Sequence, residues 1–139
     1  MITCTRRIEF DAAHRILNHE SKCKMLHGHR YALEASFLAK ELDDLGRVID
    51  FGIVREVLGT WIDENLDHNT ILSIKDKKLG QKIAEETGQK IYYLESNPTA
   101  ENIAKHILTE ICPKLFANKN VKCVGVKLYE TPNCYVEVG

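Results

Sequence analysis

The chain has 139 residues, 44% hydrophobic and 28% charged, with a formal net charge of -1, which suits one compact domain spanning 1–139 and leaves no room for a second. No Lys/Arg-rich block supplies the phosphate-neutralising footprint of a nucleic-acid binder, no apolar run approaches the ~18 residues that span a bilayer, and MITCTRRIEF lacks the apolar core of a signal peptide. The expectation is a soluble cytoplasmic protein without nucleic-acid or membrane partners, whose five cysteines, odd in number and without a CxxC pair, stay reduced and mostly packed.

From Ile2 to His14 the even positions Ile2, Cys4, Arg6, Ile8, Phe10, Ala12 and His14 are mostly apolar, which predicts a strand with one buried face and His14 at its end. Residues 15–26, with Cys23 among them, form a loop longer than a tight hairpin needs. From His27 to Lys40 the odd positions His27, His29, Tyr31, Leu33, Ala35, Phe37 and Ala39 predict a second strand. A two-residue period turns both histidines toward the core, with Gly28 as spacer. Asp50 caps a helix whose Val54, Val57, Leu58, Trp61, Ile62 and Leu66 follow helical spacing. Asp67 and His68 fall just past its end.

Segment 74–97 is less regular: Leu79, Ile83 and Ala84 allow a short helix, and KIYYL a brief strand. Pro98 and Thr99 open the second main helix, with Ile103, Ala104, Ile107, Leu108 and Ile111 on one face and Pro113 as its stop. Val121–Tyr129 and Cys134–Val138 read as a hairpin turned at TPN. Val124, Val126 and Leu128 point inward on its first strand, and the same parity turns Glu130 inward at the strand's end.

Three histidines on two neighbouring strands can present neutral imidazoles to one point, the ligand set of a catalytic zinc with its fourth position open. His19 and His106 stand alone and read as ordinary solvated or packed side chains. Burying His27 and His29 side by side, by contrast, is costly without a ligand. Cys23, four residues before His27, leaves two readings: it closes a tetrahedral structural site with the three histidines, or it stands apart as a reactive thiol. An aspartate beside a histidine, as in Asp67–His68, can orient the imidazole for proton transfer. An inward Glu130 with no arginine aimed at it suits a ligand with adjacent N–H donors, such as a pterin or guanine edge; the alternative is a strand-end carboxylate turned to water.

In this order and over nearly the whole chain, FDAAH, CKMLHGH, VIDFG, LDH, NPTAEN and YETPN resemble the 6-pyruvoyl-tetrahydropterin synthase superfamily. Within it the cysteine spacing is similar to that of the bacterial 6-carboxy-tetrahydropterin branch. The resemblance implies an α+β tunnelling fold: a four-stranded antiparallel sheet, two main helices packed on one face, and subunits joined through strand edges into a barrel. It implies that His14, His27 and His29 bind Zn2+, that Cys23 is the catalytic thiol with Asp67 and His68 as a second proton-transfer unit, and that Glu130 anchors the pterin. It places each active site between subunits of a homo-oligomer, the Asp-His pair reaching a neighbour's cysteine and metal.

The implied activity is a carbon–carbon lyase on the queuosine route, converting 7,8-dihydroneopterin triphosphate to 6-carboxy-5,6,7,8-tetrahydropterin, acetaldehyde and triphosphate. Two alternatives stay open: a 6-pyruvoyl-tetrahydropterin synthase or related pterin aldolase, and a zinc-stabilised pterin-binding module without turnover. Segment 74–97 is longer than in the shortest members of the 6-carboxy branch. No cation for the triphosphate is identified, and Arg15, Lys22 and Lys24 near the loop read as plain surface charges.

Overall fold

β1 (Thr3–His14) and β2 (His27–Leu38) pair antiparallel over their full length in the computed structural model, which describes every residue from Met1 to Gly139. Their register sets His14 opposite His27, Ala12 opposite His29 and Phe10 opposite Tyr31, so even positions of one strand share a face with odd positions of the other. That face is the core side, where Phe10, Ala12, His14, Tyr31, Leu33, Ala35 and Phe37 are all buried. The opposite face is polar and carries ion pairs such as Arg7 with Glu34 and Arg30 with Asp11.

α1 (Phe51–Asn65) starts where the Asp50 carboxylate accepts the Gly52 amide at 2.8 Å, as its sequence position predicts. Past Asp67 and His68 the chain forms β3 (Asn69–Ser73), crosses through α2 (Lys77–Thr87) and returns as β4 (Ile91–Leu94). α2 and β4 are the short helix and brief strand read in segment 74–97. β3 is not foreseen by alternation, and the reason is its surroundings. Thr70, Ile71, Leu72 and Ser73 are all buried, and a strand covered on both faces has no polar side to reveal its period.

Thr99 opens α3 (Ala100–His106), its hydroxyl accepting the Asn102 amide at 3.1 Å. The expected stop at Pro113 is corrected: a π-helical turn (Ile107–Ile111) runs on into α4 (Cys112–Leu115), with Pro113 inside its first turn. The Cys112 amide bonds Ile107, five residues back. This wider turn takes up the proline, whose ring and missing N–H would disrupt a regular ladder.

β5 (Lys122–Thr131) and β6 (Cys134–Val138) form the predicted hairpin. Val124 departs from the expected buried face, because a bulge opposite Ser36 and Phe37 puts Cys123 there instead. The fold is α+β, and the expected four-stranded antiparallel sheet is corrected to a six-stranded mixed one in the order β4-β3-β1-β2-β5-β6. The four antiparallel strands are present, and β3 and β4 extend the β1 edge in parallel. A parallel crossover needs about a dozen residues and usually a helix; the long segment containing α2 supplies both. Val54, Leu58 and Ile62 of α1 and Ile103 and Ala104 of α3 join the inward strand residues in one apolar cluster. No helix is long and apolar enough to cross a membrane.

Candidate active site

Strand parity brings His14, His27 and His29 to one end of the core face. Nε2 of His27 lies 3.2 Å from Nε2 of His14 and 3.1 Å from Nε2 of His29. On its other side His14 donates from Nδ1 to the Pro98 carbonyl at 2.7 Å, and His27 donates from Nδ1 to the Met25 carbonyl at 2.7 Å. A carbonyl only accepts, so each Nδ1 carries a proton, and in the neutral ring Nε2 then carries a lone pair. Lone pairs facing each other repel, and a cation between them removes the conflict. Backbone carbonyls orienting the far nitrogen are the usual support of histidine ligands.

Burial, reinforced by the neighbouring His27 and His29, pushes the His14 pKa down to about 4 despite its bond to Pro98. Burial also lowers that of His29, with Glu130 acting the other way. Neutral rings are the form a metal takes. The three nitrogens fit a metal ion, and the sulfur of Cys23 is not among the converging atoms. Cys23 lies in a 3-10 turn (Lys22–Lys24), half-buried, its carbonyl accepting the Ile16 amide at 2.8 Å.

Glu130 points inward as its parity predicts, at the residue that a register shift between Tyr129 and Thr131 leaves unpaired. Its Oε2 lies 3.0 Å from Nε2 of His29 and 3.8 Å from Nε2 of His14, a neighbour that strand parity alone does not reveal. Tyr31 completes this wall. Its ring stacks on Phe10 at 5.1 Å and meets the His29 ring edge-on at 5.5 Å. The Tyr31 hydroxyl is fully buried with no hydrogen-bond partner, and burial, with Glu130 adding to it, pushes its pKa up.

Asp67 and His68 form a second, separate group with Asp11. His68 Nδ1 lies 3.0 Å from Asp67 Oδ2, while Asp67 Oδ1 accepts the Asp11 amide at 2.9 Å. Burial works against the Asp67 carboxylate, but the Asp11 amide, His68 and Arg30 outweigh it and hold its pKa below the ordinary value. A carboxylate at Nδ1 fixes the proton there and leaves Nε2 free.

Several supports escape the sequence reading. Asn97 brackets Leu17 with two 3.0 Å bonds, accepting its amide and donating to its carbonyl, and so ties the Cys23 loop to the entrance of α3. Pro98 sets the His14 ring. NPTAEN is visible in the sequence as a helix start, but which residues it grips depends on a contact 84 positions away. Arg15 is not a plain surface charge, since its guanidinium pairs through two nitrogens with the buried carboxylate of Asp76.

Fold and site together define an α+β protein with a three-imidazole group able to hold a metal ion at one end of its sheet. The family model described as 6-pyruvoyl tetrahydropterin synthase matches residues 3–139, and the chain belongs to that family. A Rickettsia felis protein named 6-carboxy-5,6,7,8-tetrahydropterin synthase is 60% identical over 138 residues, covering 99% of this chain and 100% of the relative. Among solved structures, an uncharacterized protein from Wolinella succinogenes superposes with a TM-score of 0.81 at 22% identity, over 99% of this chain and 97% of the other. A 6-pyruvoyltetrahydropterin synthase from Plasmodium vivax does so with a TM-score of 0.69 at 19% identity, over 99% and 98%. At those identities the two structures establish the fold.

Proposed function

We infer that the chain catalyses the 6-carboxy-5,6,7,8-tetrahydropterin synthase reaction, a carbon–carbon lyase reaction in which 7,8-dihydroneopterin triphosphate and one water yield 6-carboxytetrahydropterin, acetaldehyde and triphosphate. The observation that carries this reading is full-length identity of 60% to a relative of that name. His14, His27 and His29 would hold zinc through their three imidazole nitrogens, a ligand set that catalytic zinc takes. When bound, zinc supplies Lewis-acid polarisation of the substrate's side-chain oxygens, making the adjacent C–H more acidic.

The remaining steps belong to the chain's own groups. Glu130 anchors the pterin by accepting from adjacent N–H donors. Cys23 moves protons between carbon and ring nitrogen; its sulfur lying outside the nitrogen group favours this role over that of a fourth ligand. Asp67 holds His68 in the Nδ1–H form, so that Nε2 exchanges the proton. The ligand atoms of Asp67 and His68 fall outside the three-imidazole group of the same chain, and the family resemblance assigns that pair to a neighbouring subunit's site. Residues 1–139 act as one catalytic domain in a cytoplasmic homo-oligomer, joined through strand edges into a barrel and serving the queuosine route.

The test is to incubate the zinc-loaded protein with 7,8-dihydroneopterin triphosphate and measure both small products. Acetaldehyde and triphosphate released together support the reading. Triphosphate without acetaldehyde assigns a pyruvoyl synthase, and bound pterin without product assigns a binding module; either refutes it.

A further inference from the structure

His68 stands in the left-handed backbone region, with φ 60°, a conformation that a residue with a Cβ keeps only when its surroundings hold it. Both of its backbone polar groups are held. The His68 amide donates to the Asp11 carbonyl at 2.6 Å, and the His68 carbonyl accepts Nε2 of Gln89 at 2.8 Å. Gln89 comes from segment 74–97, directly after Gly88, whose own φ of 73° ends α2 and turns the chain back toward the end of α1.

The orientation of the Gln89 amide follows from its neighbours. A carbonyl cannot donate, so the NH2 group must face His68. The oxygen is then left for the hydroxyl of Thr70, which donates to Oε1 at 2.5 Å. Thr70 is buried, and its amide donates to the Lys90 carbonyl at 3.4 Å. Lys90 in turn reaches Oδ1 of Asn65 at 2.8 Å, at the end of α1. Thr70, Gln89 and His68 thus form a directed chain whose last link is the carbonyl beside the exposed imidazole.

We propose that Gln89 is a positioning residue for His68: by holding the His68 carbonyl opposite the Asp11 anchor on its amide, it fixes the direction in which the imidazole leaves the backbone. The proposal rests on the reading of His68 as a proton-transfer group. It gives the long segment between α1 and α3 a catalytic purpose, because that segment delivers the amide. Asp67 sets the tautomer of the ring, and Gln89 sets where the ring points.

The test uses the zinc-loaded assembled protein and compares Gln89→Leu, Gln89→Glu and Thr70→Val with His68→Ala. In Gln89→Leu the kcat falls about tenfold or more, as expected when a reacting group is displaced by a fraction of an ångström, with KM within about twofold and zinc content unchanged. Gln89→Glu still accepts from Thr70 but turns an acceptor toward the His68 carbonyl, so its kcat is no better than that of the leucine variant. Thr70→Val frees the amide and lowers kcat less; it carries the test if Gln89→Leu does not assemble. Crystal structures of the variants then show His68 out of its left-handed conformation.

Wild-type kcat in Gln89→Leu overturns the proposal, as does a loss confined to KM. A Gln89→Glu variant close to wild type also overturns it, assigning Gln89 to tethering the segment through Thr70. Full turnover in His68→Ala refutes the reading of His68 itself. An inactive His68→Ala beside a fully active Gln89→Leu refutes only the part given to Gln89.

Discussion

His14 is 2% exposed and the His68 side chain 77%, and the two histidines are held by opposite means. The three-histidine group is built from side chains that regular strands already aim at one point, with carbonyls of Met25 and Pro98 fixing the rings. The Asp67 corner is built from an irregular backbone, pinned by Asp11 on one side and Gln89 on the other. The first arrangement needs little beyond strand register. The second needs three separate stretches of chain to meet, and it leaves its imidazole open to whatever approaches the sheet's polar face.

The sharpest way to break this contrast is His27→Ala. Metal content by elemental analysis drops from roughly one ion per chain to near none, and acetaldehyde release falls by on the order of 1000-fold, while circular dichroism keeps the native signature. Cys23→Ala separates thiol from metal: zinc stays near one per chain while turnover falls by ~100-fold. Loss of zinc from that variant would return Cys23 to the ligand set. Glu130→Gln weakens pterin binding by ~2 kcal/mol, because the amide offers one acceptor where the carboxylate offers two; calorimetry on the zinc-loaded protein measures this.

Smaller effects test the walls. Tyr31→Phe removes a buried hydroxyl with no partner, so urea unfolding of the metal-free protein gives an unchanged or higher stability, by up to ~1 kcal/mol. A marked loss would mean that the hydroxyl is bonded after all. The least effect comes from Asp67. Its folded pKa lies below the ordinary 3.8, so its stabilisation is complete above that value and is lost as pH falls through the lower folded one. Wild type therefore loses stability on acidification below about pH 4 more steeply than Asp67→Asn, as unfolding midpoints across that range will register.

What could be read from the sequence follows the same division. β1 and β2 have one wet and one dry face, so alternation located His14, His27, His29 and Tyr31, and helical spacing with Asp50 located α1. Glu130 followed from parity even though the residue that begins the count, Val124, sits in a bulge. β3 escaped because it is dry on both sides. Pro113 misled because a proline marks a helix end only if the ladder before it is regular. The supports of the site stayed hidden for another reason: Asn97, Pro98 and Gln89 act through partners 80, 84 and 21 positions away, and no local pattern encodes such a pairing.

The π turn at Ile107–Ile111 makes the helix sensitive to length. Each α-helical residue advances about 100° around the axis, and a π turn holds one residue more than a regular turn accommodates. The stretch before it begins beside Pro98, whose carbonyl grips His14, and the stretch after it seats Phe116 against Phe37, ring centroids 4.6 Å apart. Deleting a single residue within the turn would restore a regular ladder with both stretches near their present phase, but would bring Pro113 into it; deleting one from α3 would instead rotate one stretch against the other by about that 100°. In that second case either the aromatic contact or the carbonyl that orients His14 would have to give way, so the three-histidine group is in mechanical phase with an aromatic pair beyond the far end of the same helix.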